Sequence, residues 1–340
     1  MKRFRRSTMA AIAGGLLVFL GACGTVSPGG NGDGSGADAT RTATAVSVAP
    51  CSASGTATPA ALAPTAAAPT QDDLSPLSDE FNDAGSLAGW KNLSAVEGWP
   101  SQIERMDVNA TSSGALYLVP YTSTWFDDYH GVFLYKEVAG DFMATTRIKA
   151  TGKHSAVPTS AYSLTGIMAR APRDGLTPAT WRPGHENWVF ITTGIGEAGF
   201  QKPQIETKTT VNSVSDLRLI PSAADWVDLR VARIGQTFVM LYRLPGASWE
   251  LSRCFDRADL PARLQVGLNA YTDWNTIDSQ FHGDGGAFNR TLLKGPQTSP
   301  DLIMRDDYLR FSRPPVPDAV KAQIAHGELA LDAWLPFVMG

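Results

Sequence analysis

The sequence predicts an all-β fold, a two-sheet antiparallel sandwich followed by a short helical tail. From Leu77 to Pro314, short runs with strand-like composition alternate with turn signals, and helical repeats do not separate them. One run, GHENWVFITTG from Gly184 to Gly194, has the composition of a strand but carries apolar residues on both of its faces. Strands spaced in this way indicate an antiparallel sandwich or barrel and argue against a βαβ fold.

Residues 1–22 have the composition of a signal peptide. Lys2, Arg3, Arg5 and Arg6 precede an apolar run, Met9–Leu20, that is too short to span a bilayer comfortably. The run ends in LGAC, which resembles the lipobox of bacterial lipoproteins and implies acylation of Cys23. The alternative is an ordinary secretory signal with an incidental cysteine.

Residues 23–73 are predicted to be a disordered, lipid-anchored stalk. The segment is rich in Gly, Ala, Ser, Thr and Pro and has almost no large apolar residue, so it cannot bury enough surface to offset chain entropy. A lipid on Cys23 would place the protein in the cell envelope, either on the outer side of the cytoplasmic membrane or in the outer membrane. Gly24, rather than Asp, follows the cysteine, so no inner-membrane retention signal is visible.

Charge and cysteine usage narrow the range of partners. The formal net charge is −4 before the basic signal is removed, which argues against nucleic acid and anionic lipid heads. We expect a monomer that meets the membrane only through its N-terminal lipid. Cys51 lies in the predicted stalk, so we expect Cys51 and Cys254 to be unpaired thiols; the alternative is a disulfide, which this compartment permits. The sequence has no cysteine cluster that would suggest a metal site.

The sandwich is predicted to occupy residues 74–314. Gly235 lies between two of its strand runs and indicates a hairpin. The SDEFND segment opens the domain, and the predicted strands that follow are Ala115–Pro120, Gly131–Val138, Asp141–Ala150, Ser163–Ala171, Glu186–Gly194, Gln204–Val211, Trp226–Gly235, Thr237–Pro245, Leu264–Thr272 and Asp307–Pro314.

Residues 315–340 are predicted to form a helical tail. Asp318 is expected to cap a short helix that Gly327 ends, and a second helical piece follows. Leu331, Trp334 and Phe337 in that piece require burial. We expect the tail to clamp the sandwich, because monomers rarely leave such a patch bare; the alternative is a docking surface for another protein.

Several runs resemble the concanavalin A-like jelly-roll domains of the laminarinase/LamG type. They are SDEFND with GSLAGW, GDFMATTRIKA followed by SLTGIMARA, the strand led by Glu186, and the closing DDYLRFSRP. The resemblance covers residues 76–314 and implies a jelly roll in which the last strand lies beside the first. This fold hosts lectin-like modules, glucanases and lyases, so the resemblance predicts the fold more specifically than the activity.

One face of the predicted sandwich has the residues of a carbohydrate site. If Val189 and Ile191 point into the core, then Trp188 and Phe190 face a groove, where sugar rings stack on aromatic side chains and sugar hydroxyls bind amides, carboxylates and Arg. The same alternation and the long loops add Met168, Arg170, Gln204, Glu206, Lys208, Gln265, Asn269, Tyr271, Trp125, Trp181 and Trp274. We therefore predict recognition of a polysaccharide or glycoconjugate. The alternative is that Trp188 and Phe190 are core residues beneath a loop.

A hydrolase or lyase is the alternative function. Glu186 and Glu206 could form a carboxylate pair, or His130 could act as acid or base. The glucanases of this fold carry an E-x-D-x-x-E strand that this sequence lacks. The lyases use a Tyr/His pair with Arg and Gln, which Tyr129 and His130 do not match in motif. Non-catalytic binding is therefore the main prediction.

A structural calcium ion is the one cofactor considered, and none is required. Asp79 and Glu80 open the first strand, and Asp306 and Asp307 open the last. If these strands are adjacent, the carboxylates could share a hard cation. The alternative is a set of solvated turn acids.

Overall fold

The computed structural model describes Cys51, residues 73–197 and residues 202–340, all within one compact unit, Ala45–Gly340. The predicted signal peptide, the lipidation site at Cys23 and nearly all of the predicted stalk lie outside the described residues. None of the helices in the described part of the chain combines the length and apolar character that crossing a bilayer requires.

Two seven-stranded antiparallel sheets form a sandwich, which confirms the predicted fold class, an all-β jelly-roll sandwich. The front sheet has the order β1-β4-β13-β6-β7-β8-β9, with β1 (Lys91–Asn92), β4 (Val132–Ala139), β13 (Arg263–Tyr271), β6 (Ser163–Arg170), β7 (Trp188–Ile195), β8 (Gln204–Val211) and β9 (Val214–Pro221). The back sheet has the order β12-β11-β10-β5-β14-β3-β2, with β12 (Glu250–Asp256), β11 (Thr237–Arg243), β10 (Val227–Ile234), β5 (Phe142–Thr151), β14 (Ile303–Ser312), β3 (Leu116–Pro120) and β2 (Ile103–Val108).

The closing strand lies beside the opening segment. An antiparallel bridge joins Asp79 to Leu309 of β14, and β14 pairs with β3 and β5. Apolar side chains from both sheets, among them Val189, Ile191 and Leu229, form the central core. The core row of β7 is therefore the predicted one.

Within the described residues, five α-helices lie between and after the strands: α1 (Leu93–Glu97), α2 (Trp274–Phe281), α3 (Gly285–Asn289), α4 (Asp318–Ala325) and α5 (Leu331–Met339). Two 3-10 turns, Ser75–Leu77 and Ala84–Gly89, precede the first strand. Pro317 is the N-cap of α4 and Asp318 is its first residue, so the helix begins one residue earlier than predicted from Asp318 as its cap.

The tail packs on the outer face of the back sheet. Ile324, Trp334 and Val338 are buried there against Val239 and Leu241 of β11. Val239 and Leu241 alternate along β11 with residues that point into the central core. The back sheet is therefore apolar on both faces where the helices cover it.

Cys51 and Cys254 form a disulfide, with 5.5 Å between their Cα atoms. The expectation of two free thiols is wrong. Composition placed Cys51 in an unstructured segment, but its side chain packs against the same apolar cluster as the tail, next to β12. A bridge therefore joins residue 51 to the sandwich across 203 residues of sequence.

Candidate functional site

The outer face of the front sheet has the predicted orientation, but it is not open. Trp188 and Phe190 point away from the core row of Val189 and Ile191, yet both have 0% exposed surface. The expectation that they form a solvent-open stacking platform is wrong. Their aromatic rings stack on each other at 5.0 Å and belong to a second apolar cluster.

Loops that bring their own aromatic side chains close this face. Trp125, from the connection between β3 and β4, lies edge-on to Trp188 at 6.0 Å and donates its indole N–H to the carbonyl of Val132. We call this cluster the covered layer; its members are Leu93, Trp125, Phe133, Tyr135, Leu164, Met168, Trp188, Phe190 and Tyr271. Contact among these rings excludes water from the place where a sugar would stack.

A buried ion-pair network lies at one end of the covered layer. Arg170 binds Glu186 through two hydrogen bonds of 2.9 and 3.1 Å, and Arg173 donates to the same carboxylate at 2.6 Å. Arg170 also donates to Glu97 and Gln265, each at 2.9 Å. Because every carboxylate here has a guanidinium partner, burial of these charges is compensated.

This network fixes the ionisation of its members. Burial raises the pKa of Glu186, but Arg170 and His130 outweigh burial and hold that pKa well below its ordinary value. The two carboxylates raise the pKa of Arg170 against its own burial. Nε2 of His130 lies 3.1 Å from Glu186. An ionised Glu186 saturated with cations is a poor general acid, because it has no proton to donate.

A second buried pair occupies the middle of the covered layer. Lys208 lies 2.7 Å from Glu206, donates to the carbonyl of Trp125 and is surrounded by four aromatic rings, with the nearest centroid, of Phe190, at 5.1 Å. The hydroxyl of Tyr271 donates to Glu206 at 3.0 Å, and burial raises the pKa of Tyr271 well above its ordinary value. The two buried charges therefore compensate each other within the protein.

Glu186 and Glu206 do not form a carboxylate dyad. In the register of β7 and β8, Glu206 lies opposite Thr192, and Thr192 follows Glu186 by six residues. At the rise of an extended strand, the two backbones are separated by about 20 Å along the sheet. Glycosidase pairs require carboxyl groups about 5 to 10 Å apart, so a two-carboxylate mechanism does not fit these residues.

Three further residues predicted for the groove, Gln204, Trp181 and Trp274, pack or bond inside the protein, and Asn269 is fully buried. Gln204 accepts from the backbone of Gly196, and Trp181 packs edge-on against Trp99 at 6.3 Å. Trp274 contacts Phe126 and Tyr129 in a separate apolar cluster. These tryptophans anchor the loops that close the front sheet.

The four acids considered for calcium have protein partners. Asp79 accepts from the indole of Trp90, Glu80 pairs with Arg310, and Asp306 accepts from Thr146. Asp307 lies 3.9 Å from Arg147. Among the described residues, no group of three or more His, Cys, Asp or Glu side chains could hold a metal ion.

An open groove lies on the back sheet, at a place that the sequence did not single out. Its volume is about 750 Å³, and its lining residues are Ser75, Ser78, Glu80, Met143, Thr145, Arg230, Arg243, Trp249, Tyr308, Arg310, Phe311 and Ser312. We call it the arginine groove. Its strand residues Arg230, Arg243 and Tyr308 alternate with core residues such as Leu229, Tyr242 and Leu309, so strand periodicity could have located its floor.

Stacked and paired guanidinium groups shape the arginine groove. Arg230 and Arg243 lie 4.2 and 4.8 Å from the ring centroid of Trp249, and Arg310 lies 3.8 Å from that of Tyr308. Arg310 forms a two-bond pair with Glu80, at 2.7 and 2.6 Å. Arg243 binds Asp228 at 2.7 and 2.6 Å. The groove thus presents planar polar groups next to aromatic rings.

A family model matches residues 95–278; it is described as "Protein of unknown function (DUF1349)". The chain belongs to the DUF1349 family. No curated protein matches it. Among solved structures, it is similar to a functionally unknown protein from Saccharomyces cerevisiae, with 16% identity and a TM-score of 0.44 over 68% of this chain and 99% of that one.

Two similar structures come from Bacillus licheniformis. The GH43 protein BlXynB has 11% identity and a TM-score of 0.44 over 69% of this chain and 39% of its own. A beta-glucanase has 10% identity and a TM-score of 0.40 over 72% of this chain and 100% of its own.

The arginine groove extends beyond the DUF1349 match. Arg230, Arg243 and Trp249 lie within residues 95–278, whereas Tyr308 and Arg310 belong to β14, after the match ends. The matched segment therefore supplies only part of the groove, and the opening segment with Glu80 and the closing strand β14 supply the rest.

Proposed function

We propose that this DUF1349 protein is a non-catalytic carbohydrate-binding protein of the cell envelope, and that the arginine groove is its binding site. The observation that carries the proposal is the pairing of Trp249 and Tyr308 with guanidinium and carboxylate groups in an open concavity of the back sheet. The front sheet, where the sequence suggested a site, is closed.

The chemistry of the groove matches the two surfaces of a sugar. The C–H face of a pyranose ring is apolar and packs on an aromatic ring, while its hydroxyls need donors and acceptors in fixed directions. Arg310 with Glu80 and Arg243 with Asp228 supply planar donors and acceptors at the rim, and Thr145 and Ser312 add hydroxyls. The pairs hold the side chains in place before a ligand arrives, which lowers the entropy cost of binding.

The test is direct binding of the full chain to a glycan array, followed by titration calorimetry with each positive ligand. Trp249→Ala is expected to weaken binding by about tenfold or more, since a stacking surface is lost. Trp226→Ala is the matched control, because Trp226 is a half-buried tryptophan near the same sheet that stacks with Arg147 and does not line the groove.

Absence of binding to every glycan, or equal loss in the two variants, would contradict the proposed site. If binding survives Trp249→Ala but is lost when Trp181 is replaced, the binding site lies at the front-sheet loops, where Trp181 is buried.

We also propose that Cys23 carries a lipid and anchors the protein in the envelope, on the grounds of the LGAC motif after a basic and apolar leader. Cys23→Ser should release the protein from the membrane fraction without changing its binding to glycans. A variant that stays membrane-bound would contradict acylation at this position.

A further inference from the structure

We infer that the arginine groove selects acidic polysaccharides, specifically chains whose sugar units carry carboxylate groups. This inference rests on the proposed function and names the class of substrate at the same site. It follows from the pairing, the chemistry and the surroundings of the arginines.

Three arginines line the groove, and two of them form ion pairs with acidic side chains. Arg230, Arg243 and Arg310 are in the lining together with one acid, Glu80. Arg310 pairs with Glu80, and Arg243 pairs with Asp228, which lies outside the lining. Among the described residues, Arg230 forms hydrogen bonds to neutral oxygens rather than an ion pair with an acidic side chain, and Asp228 acts on it only through its longer-range charge.

Arg230 is held by neutral oxygen atoms instead. Its Nε donates to the hydroxyl of Thr145 at 2.9 Å, and its Nη1 donates to the carbonyls of Val338 and Met339 at 2.5 and 3.3 Å. Burial and the neighbouring charge of Arg243 lower the pKa of Arg230 to about 10. A half-buried cation beside a second cation favours an anion that binds between them.

The chemistry of the guanidinium groups suits a carboxylate. Arg230 and Arg243 both lie over the ring of Trp249, at 4.2 and 4.8 Å from its centroid, which keeps the two cations close to one aromatic surface. A planar guanidinium binds a carboxylate through two parallel hydrogen bonds, and it is desolvated more easily than an ammonium group. Uronate carboxylates lie on the sugar ring itself, so a ring on an aromatic side chain brings its carboxylate close to the neighbouring arginines.

The negative net charge of the chain means that an acidic polysaccharide must be recognised by contacts inside the groove. The whole chain has a net charge of −4, so long-range attraction of a polyanion is not available. Hydroxyl groups of Ser75, Ser78 and Ser312 line the same groove and can bind the neutral hydroxyls of a sugar chain. A ligand with both carboxylates and hydroxyls satisfies both parts of the lining.

The test compares three ligands in titrations with the full chain at about 0.15 M salt, where distant charges are screened. They are an octamer of galacturonic acid, the same octamer as its methyl ester, and a neutral octamer of glucose. The free acid is expected to bind at least about tenfold more tightly than its ester, because charge-assisted hydrogen bonds are lost with the charge.

Variants place the effect in the groove. Arg243→Lys keeps the charge but loses the planar fork, and it is expected to remove most of the preference for the acid over the ester. Arg230→Gln should do the same; since Arg230 also holds the tail, its thermal midpoint is measured in parallel. Arg253→Lys is the matched control, because Arg253 pairs with Asp216 away from the groove.

Each outcome decides the inference. Equal affinity for acid and ester overturns it, as does a preference that survives in both groove variants. Dextran sulfate is titrated in addition as a polyanion without carboxylates, and equal binding of it also overturns the inference, since the groove would then bind any polyanion. If only neutral glycans bind, the inference fails and the proposed function stands; if no glycan binds, both fail.

Discussion

At the scale of single residues, Glu186 shows how the sequence and the structure diverge. A carboxylate ahead of two aromatics suggested a ligand contact, but Glu186 is fully buried and serves Arg170, Arg173 and His130. Sequence periodicity predicted β7 and its core row, but the strand begins at Trp188, two residues after Glu186. It could not show that loops distant in sequence would supply the partners, because those contacts depend on tertiary structure.

Glu186→Gln is expected to destabilise the fold by about 3–5 kcal/mol, because it leaves the buried guanidinium of Arg170 and the partly buried one of Arg173 without their shared carboxylate. The measurement is the free energy of unfolding in urea at neutral pH. Glu137→Gln is the control: Glu137 pairs with Lys91 and Arg263 at the exposed surface, and such pairs contribute about 1 kcal/mol or less. Equal effects of the two variants would contradict a structural role for the buried network.

The same residue predicts a pH dependence. Because the pKa of Glu186 is lower in the folded state than in the unfolded chain, the unfolded state takes up the proton first. The contribution of ionised Glu186 to stability is complete above its pKa in the unfolded chain, about 4.3. It is lost as the pH falls through its lower pKa in the folded state. The stability difference between wild type and Glu186→Gln should therefore shrink below that pH, and a difference that grows on acidification would contradict this assignment.

Asp306 predicts the opposite sign. It is fully buried beside Thr146, and burial raises its pKa well above the ordinary value, so its contribution is present below the unfolded pKa and lost as the pH rises through the folded one. Asp306→Asn removes the charge but keeps the acceptor for Thr146. It should stabilise the protein at pH 8 by on the order of 1–3 kcal/mol and have little effect at pH 3.

Thermal unfolding of wild type and Asp306→Asn across this pH range is the measurement. A loss of stability at pH 8 would contradict the prediction. A rise in the midpoint of the wild type with added calcium, absent in the variant, would instead assign Asp306 to a cation site.

At the scale of secondary-structure elements, the errors fall on the sheet edges. The sequence located ten of the strands but missed β1, β2, β9 and β12, which are the four edge strands of the two sheets. Edge strands such as β9 are largely exposed on alternate positions and carry polar residues, so they lack the buried apolar row by which central strands are recognised. Central strands such as β7 are buried throughout.

The disulfide is the element-scale feature that composition concealed. Replacing both cysteines, Cys51→Ser with Cys254→Ser, is expected to destabilise the sandwich by about 2–5 kcal/mol, because the bridge closes a long loop and the unfolded chain gains freedom without it. The midpoint of thermal unfolding without reductant measures this. Dithiothreitol should lower the midpoint of the wild type and leave that of the double variant unchanged; equal midpoints for both proteins would contradict a stabilising role.

At the scale of the whole molecule, the sequence predicted the architecture better than the site. Two sheets, the closing strand beside the opening segment and the inward row of β7 all follow from local periodicity and turn chemistry. Whether a sheet face is open depends on where loops and helices pack. Here loops cover the front sheet, and the tail covers only part of the back sheet, which leaves the arginine groove exposed.

This distribution of open and closed faces predicts binding without turnover. The acids that could perform glycosidic chemistry, Glu186 and Glu206, are buried and paired with cations, and their backbones are about 20 Å apart along the sheet. The arginine groove is open to a sugar chain, but the carboxylate in its lining, Glu80, forms an ion pair with Arg310. The full chain is incubated with every glycan that it binds. We expect it to release no reducing ends and no unsaturated uronates. Product release that Glu206→Gln abolishes without loss of binding would show that the front sheet opens during a reaction, because a buried carboxylate can act on a polysaccharide only if its covering loops move away.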